Sequence, residues 1–276
     1  MPLYKYVHPD RTDILRDQTI RFSPRSALND PFELAPHISG LSTPQEIAQL
    51  ADQLVPETVE EIIEKLGNAP EIRETVIAYV NSRMPYVKLQ TEIISALATP
   101  IFKKHFESGF LDSIGVLCLS EHPDNLLMWA HYGDAHRGFV IEFDERSPFF
   151  NQQLSPDDEL RHLRKVLYSD ERPSLTLSQV DNFAPFLTKG NAWSYEAEWR
   201  IMLPLTSASR TLEVGSEQIH LFRFPANSIV RIIFGCRMPA AQKAKIRDLI
   251  AQSPKLNHIQ FAEAAIDHKH YRVNIA

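Results

Sequence analysis

The sequence is poor in the residues that build the most familiar functional sites. It has two cysteines in 276 residues, Cys118 and Cys236, each inside an apolar strand-like run, GVLCLS and IIFGC. Their number and setting argue against a disulfide framework and against a cysteine-rich zinc module. The nine glycines never fall into the G-x-G-x-x-G or Walker A spacing, so neither a Rossmann dinucleotide site nor a P-loop is expected. The G-x-S-x-G elbow and the H-E-x-x-H zinc motif are missing too. No apolar run approaches the ~18–20 residues that a membrane-spanning helix needs. The opening MPLYKYVHPDR lacks the basic start, apolar middle and small-residue cleavage site of a signal peptide, so the expected compartment is the cytoplasm. An excess of basic residues is also lacking. Lys and Arg number 29 against 35 Asp and Glu, a net charge of −6, so the chain as a whole exerts no pull on nucleic acid or anionic membrane. A nucleic-acid partner would therefore need a local basic patch.

What the sequence does contain is the balance of an ordinary globular protein, 43% hydrophobic and 23% charged residues. The strand-like segments LYKY, Thr19–Phe22, Ile114–Ser120, GFVIEFD, Tyr195–Leu203, HLFRF, SIVRIIFG, HIQFAEAAI and YRVNI occur together with helices in blocks rather than in βαβ alternation. This order predicts an α+β fold, one domain over residues 1–276 with a mixed or antiparallel sheet as its core. From about residue 43 to 110 the apolar spacing turns helical, with Glu in the first turns, and reads as a helical insertion. Arg161–Tyr168 is mixed, and SLTLSQVDNFAPFLTKG reads as a helix passing into a loop. LLMWAHY reads as a short helix capped by HPDN and ended by Gly133.

Four segments carry candidate chemistry. A period of two along Tyr195–Leu203 puts Glu196, Glu198, Arg200 and Met202 on one face, with the two carboxylates roughly 6–7 Å apart. Such a pair can bind ribose hydroxyls or stabilise an oxocarbenium ion as a glycosidic bond breaks. The plainer reading is a solvated, salt-bridged strand face. In FSPRSALNDPFE, Ser23, Arg25, Asn29, Asp30 and Glu33 follow a strand in a Pro-broken loop, where either ligand binding or simple turn chemistry places such residues. Trp129, His131, Tyr132 and His136 cluster toward the end of LLMWAHYGDAHRG, as walls of a cleft or as core aromatics with satisfied polar tips. In DHKHY, His268 and His270 share a face if the segment is a strand, although a solvated face explains them more cheaply than a metal. Cys118 is a weak nucleophile candidate, since its apolar neighbours imply burial.

LYKY, IRFSP…LNDPFE, LMWAHYGDAHRGFVIEFD and W-x-YE-x-EWR occur in the order typical of the bacterial DUF2971 family, which the chain resembles from Leu3 to about Leu203 apart from the helical stretch. More distantly, the succession LYK, ILRDQTI, FSPRSALNDPFE, EAEWRIMLP resembles the ADP-ribosyltransferase superfamily, including its DNA-modifying toxin branch. That resemblance implies a split sheet and NAD as substrate. It makes Glu198 the catalytic carboxylate and Glu196 the residue orienting the acceptor. Lys5 stands where the superfamily has His or Arg, and Asp17 and Gln18 stand where it has glycine. Tyr6, Ser23, Asn29, Asp30, Glu33, Trp129, His131, Tyr132 and Arg200 are the residues expected to frame the dinucleotide, with Lys5 or Arg200 neutralising pyrophosphate or pinning Glu198. The acceptor, whether water, protein or nucleic acid, stays open. Two other classes remain beside it: a non-catalytic nucleotide- or protein-binding module in bacterial defence or stress response, and a metal-assisted hydrolase or nuclease built on Glu196 and Glu198. No metal site is expected in the first two.

Overall fold

The computed structural model describes residues 1–180 and 183–276, without the side chains of Ala51, Asp52 and Leu54. In chain order the strands are β1 (Pro2–Val7), β2 (Thr19–Pro24), β3 (His37–Gly40), β4 (Ile114–Ser120), β5 (Phe139–Asp144), β6 (Arg164–Lys165), β7 (Leu167–Ser169), β8 (Ser174–Thr176), β9 (Thr188–Gly190), β10 (Glu198–Pro204), β11 (Arg210–Val214), β12 (Glu217–Arg223), β13 (Ile229–Phe234), β14 (Gln260–Ile266) and β15 (Val273–Ile275). The helices are α1 (Asp13–Asp17), α2 (Pro44–Leu66), α3 (Pro70–His105), α4 (Leu126–Tyr132) and α5 (Ala240–Ala251). The fold is α+β with a mixed sheet, as the blockwise order of elements implies.

The chain divides into two compact units, one of residues 1–35, 110–172 and 186–276, the other of residues 36–109 and 173–185. The second holds the helical stretch and the small parallel pair β3–β8. Its helices begin where sequence chemistry directs. Thr43 and Glu46 form a reciprocal capping box with Pro44 at the first turn, which satisfies amide groups that a helix start leaves unpaired. The helical stretch consists of two continuous helices, α2 running through Pro56 and α3 through Pro85 and Pro100. Val59, Ile63 and Val76 bury their side chains between them. SLTLSQVDNFAPFLTKG forms β8, short 3-10 turns and β9 rather than a helix, because a Pro and β-branched residues break it; its Asp181 and Asn182 lie outside the described residues.

In the first unit an 11-stranded sheet runs β11-β12-β2-β4-β1-β5-β13-β14-β15, with β10 added beside β4 and β6 beside β10. Neighbours are antiparallel except β13 and β14, which α5 connects. One face packs Leu117, Leu119, Ile201 and Leu203 with Ile14, Leu15, Ile246 and Ile250 of α1 and α5. The other packs Tyr4, Tyr6, Val140 and Ile233 with Met128 and Trp129 of α4. Strand β4 positions the site. β10 takes one edge over its whole length, from Glu198 opposite Ser120 to Pro204 opposite Ile114. On the other edge β1 pairs only at Ser120 and β2 only at Val116 and Gly115. Between those points the edge carries no strand partner among the described residues, and the sheet opens there.

After α4 the chain turns through Asp134, Ala135 and His136, all with positive φ, and passes Gly138 to re-enter the sheet at Phe139. A Cβ on Gly138 would fall within van der Waals contact of the Val7 carbonyl oxygen, so only glycine lets the turn lie against β1. Gly138→Ala should therefore cost roughly 2 kcal/mol or more and lower the melting temperature by several degrees. An unshifted thermal melt would contradict this.

Candidate active site

A cavity of about 250 Å3 fills the opening between β1 and β2. Val116, Cys118 and Ser120 of β4, Lys5 of β1, Ser23 of β2, Met128 and Tyr132 of α4, and Glu196 and Glu198 line it. Lys5 Nζ donates to the Cys118 carbonyl oxygen at 3.0 Å, satisfying an acceptor that the open edge leaves without a strand partner. Glu33 and Lys189 line it too.

Glu196 and Glu198 do not share the strand that alternation assigns to them. β10 begins at Glu198, and Glu196 ends a 3-10 turn over Asn191–Glu196. Ala197, at φ 43°, is the left-handed joint that redirects the chain between them. The turn is tied down by Ser120 Oγ donating to the Glu196 carbonyl at 2.7 Å and by Asn125 Nδ2 donating to the Tyr195 carbonyl at 2.8 Å. Asn125 also caps α4, accepting from the amides of Leu127 and Met128. The solvated-face reading is overturned: Glu196, Glu198 and Arg200 are 4%, 2% and 0% exposed.

Their charges are paired inside the protein. Arg200 Nε and Nη2 grip the two oxygens of Glu198 at 2.6 and 3.0 Å, and Nη2 also donates to Glu33. Lys189 Nζ lies 3.3 Å from Glu33, 2.7 Å from Glu196 and 3.2 Å from Glu198, and 4.8 Å from the centre of the Trp193 ring. Tyr132 Oη donates to Glu196 at 2.7 Å and accepts from Asn29 Nδ2 at 3.0 Å. The Glu198 amide donates to Tyr168 Oη at 2.9 Å. Arg200 Nη1 is buried without a hydrogen-bond partner among the described residues.

These contacts separate the two carboxyls. Burial works against the Glu198 carboxylate, yet the Arg200 guanidinium and Lys189 outweigh it and hold the group at about 2. For Glu196 burial wins over Lys189 and Tyr132, and its value is raised. Burial, overcome by Glu198 and its neighbours, leaves Lys189 and Arg200 more firmly charged than usual. Burial and the Glu198 charge push the Cys118 thiol well up, which removes it as a nucleophile. Two carboxyls driven in opposite directions are the arrangement from which acid–base chemistry is built. Lys189 fills the place a cation would take among the three carboxylates. Among the described residues no group of three or more His, Cys, Asp and Glu side chains is placed to hold a metal ion.

Of the residues named from sequence, Lys5, Tyr6, Ser23, Asn29, Glu33, Tyr132, Glu196 and Glu198 line this cavity. Arg200 lies fully buried behind Glu198, pinning it. Trp129 is core, its Nε1 donating to the Pro123 carbonyl at 2.8 Å. Asp30 spends its carboxylate on the Phe32 amide, a turn contact. The His131 ring lies 6.3 Å from that of Tyr132 and does not line the cavity. His268 and His270 sit in the bend between β14 and β15, not on a strand face, because Asp267 folds the segment back on itself. Lys189 and Tyr168 carried no sequence signal: each sits on a three-residue strand, β9 and β7, and only the pairing of those strands and the tertiary fold bring them to Glu198.

Residues 128–201 match the sequence model of DUF2971, a protein family of unknown function. The matched segment contributes Tyr132, Lys189, Glu196, Glu198 and Arg200 to the site, whereas Lys5, Asn29 and Glu33 come from outside it. No curated protein and no solved structure matches the chain.

At pH 7, Glu198→Gln should lower the unfolding free energy by about 3 kcal/mol, since it leaves a buried guanidinium short of its partner; Glu196→Gln should cost clearly less. Because Glu198 sits below the ordinary value of ~4.3, its contribution is present above that pH and is lost as pH falls toward 2. The raised Glu196 acts in the opposite sense, its contribution present in acid and lost as pH rises through its folded value. Urea denaturation at pH 7 and pH 3 should show the Glu198→Gln penalty shrinking in acid. Equal penalties for both variants at pH 7 would overturn the assignment.

Proposed function

We propose that the protein is an ADP-ribosyltransferase-like enzyme that cleaves the nicotinamide glycosidic bond of NAD and passes ADP-ribose to an acceptor. The observation that carries this reading is the opening of the sheet along β4, with an ionised, immobile Glu198 facing the cavity within it. This geometry is consistent with the split sheet that the resemblance implies. When the bond breaks, the nicotinamide nitrogen keeps the electron pair and leaves neutral, and positive charge develops on the ribose. Glu33, Glu196 and Glu198 against Lys189 and Arg200 leave one negative charge in excess when all are ionised, the sign that stabilises this transition state. Glu196, held by Tyr132 and with the higher proton affinity, is placed to accept the proton that the acceptor's nucleophile gives up.

A cavity of about 250 Å3 lies just below the usual range of ~300–1,000 Å3 for small-molecule sites, so it suits a nucleoside-sized portion of the dinucleotide. With Arg200 committed to Glu198, Lys5 is the lining cation free of an ion pair among the described residues, and it falls to Lys5 to meet the phosphates. One observation favours a second reading, a binding module without catalysis: both Glu198 oxygens are already engaged by Arg200 and Lys189.

Purified protein incubated with NAD, with and without cell lysate, should release nicotinamide. Glu198→Gln should reduce release by roughly 100-fold or more, and Lys5→Ala, which leaves the buried network intact, should raise KM more than it lowers kcat. Absent release with no NAD-induced shift in melting temperature would reject the enzyme; a melting shift without release would favour the binding module.

A further inference from the structure

A second cavity, about 470 Å3 in volume, lies at the β14–β15 bend and is lined among others by His136, Arg237, His268, Lys269, Tyr271 and Arg272. Its charge runs against that of the molecule. Arg237, Lys269 and Arg272 supply three positive charges and Asp267 one negative charge, an excess of two on a chain whose net charge is −6. Asp267 is committed to Arg272, with Nε donating to Oδ2 at 2.9 Å, while Arg237 and Lys269 form no ion pair among the described residues. An isolated basic bend would ordinarily be solvated surface. Three further observations set this one apart.

First, the bend is pre-ordered. The Asp267 carboxylate accepts from the amides of Lys269 and His270 at 2.8 and 2.9 Å and from Asn274 Nδ2 at 3.0 Å. The entropy of ordering the loop is thus already met before any ligand arrives. Second, Tyr271, flanked by Lys269, His270 and Arg272, is wholly exposed, so its ring contributes nothing to the core and is presented as a stacking surface. Third, Leu126 and Val273 add apolar lining, and Arg237 is set beside His136 by the hydrogen bond that its backbone amide donates to the His136 carbonyl at 3.0 Å. Cations that meet phosphate next to a free aromatic ring that meets a base form the pattern of nucleotide recognition.

We propose that this cavity is a second binding site, for a nucleotide. Arg237 and Lys269 take the phosphate, and the base stacks on Tyr271. The nucleotide comes either free or as one unit of a single strand, and the site functions independently of what the first cavity binds.

The test uses the full chain with two probes, adenosine 5′-monophosphate by calorimetry and a fluorescein-labelled single-stranded 12-mer by anisotropy. The Arg237→Ala, Lys269→Ala double variant should weaken binding about 10-fold or more, and Tyr271→Ala about 5-fold or more. All three positions are exposed, so folding is retained. Lys5→Ala, altered only in the first cavity, should leave the affinity for the 12-mer unchanged, and any monophosphate binding that it removes belongs to the first cavity. Tighter binding of the 12-mer, with affinity falling steeply as salt rises, would assign the site to a strand; binding of the monophosphate alone would assign it to free nucleotide. Absence of binding by either probe at millimolar concentration, or binding lost in Lys5→Ala but kept in the Arg237, Lys269 and Tyr271 variants, would overturn the proposal.

Discussion

Lys189 and Arg200 hold three nearly buried glutamates against the wall of one cavity, and the local architecture follows from the need to satisfy those charges. Glu33 comes from the loop after β2, Lys189 from β9, Glu196 from the 3-10 turn, and Glu198 and Arg200 from β10. Each group is costly to bury alone and tolerable only in company. A cluster of this kind is weak evidence of stabilisation, because well-packed apolar side chains often serve as well or better. Its position on the wall of a cavity, where two carboxyls are driven to opposite proton affinities, is better explained by chemistry or recognition.

The sheet contributes the space. Strand β4 is paired fully with β10 on one side and only at its ends with β1 and β2 on the other. An edge left open inside a sheet exposes peptide groups that need partners, and Lys5 reaches across to the Cys118 carbonyl. The same side chain that closes that hydrogen-bond account also brings a cation into the cavity.

Much of this was legible in the sequence, though not always for the right reason. The apolar runs of β4 and β5, and Ile232, Ile233 and Phe234 of β13, are buried on both faces and read as strands at once. Alternation correctly grouped Glu198, Arg200 and Met202. Glu196 joined them by another route, since Ala197 in the left-handed region swings the preceding turn onto the same cavity, and no period of two encodes that. Lys189 was hidden because its meaning lies in contacts seven and nine residues ahead and in Glu33 far behind. The Asp30 carboxylate shows the opposite error, a polar residue in a loop whose contact is to its own backbone.

Helix α4 links the two cavities through a single rigid piece. Its cap, Asn125, donates to the Tyr195 carbonyl, so the start of α4 and the turn bearing Glu196 are fixed to each other. One turn on, Trp129 is locked between the Tyr6 ring at 5.2 Å and the His136 ring at 6.1 Å. Met128 and Tyr132 then face the first cavity, while Leu126 and His136 line the second. Tyr132 can hold its hydrogen bond to Glu196 only if this helix keeps its seat, and the crowded turn at Gly138 keeps it there. The precision of the buried carboxylates therefore depends on packing between aromatic rings as much as on the ion pairs themselves.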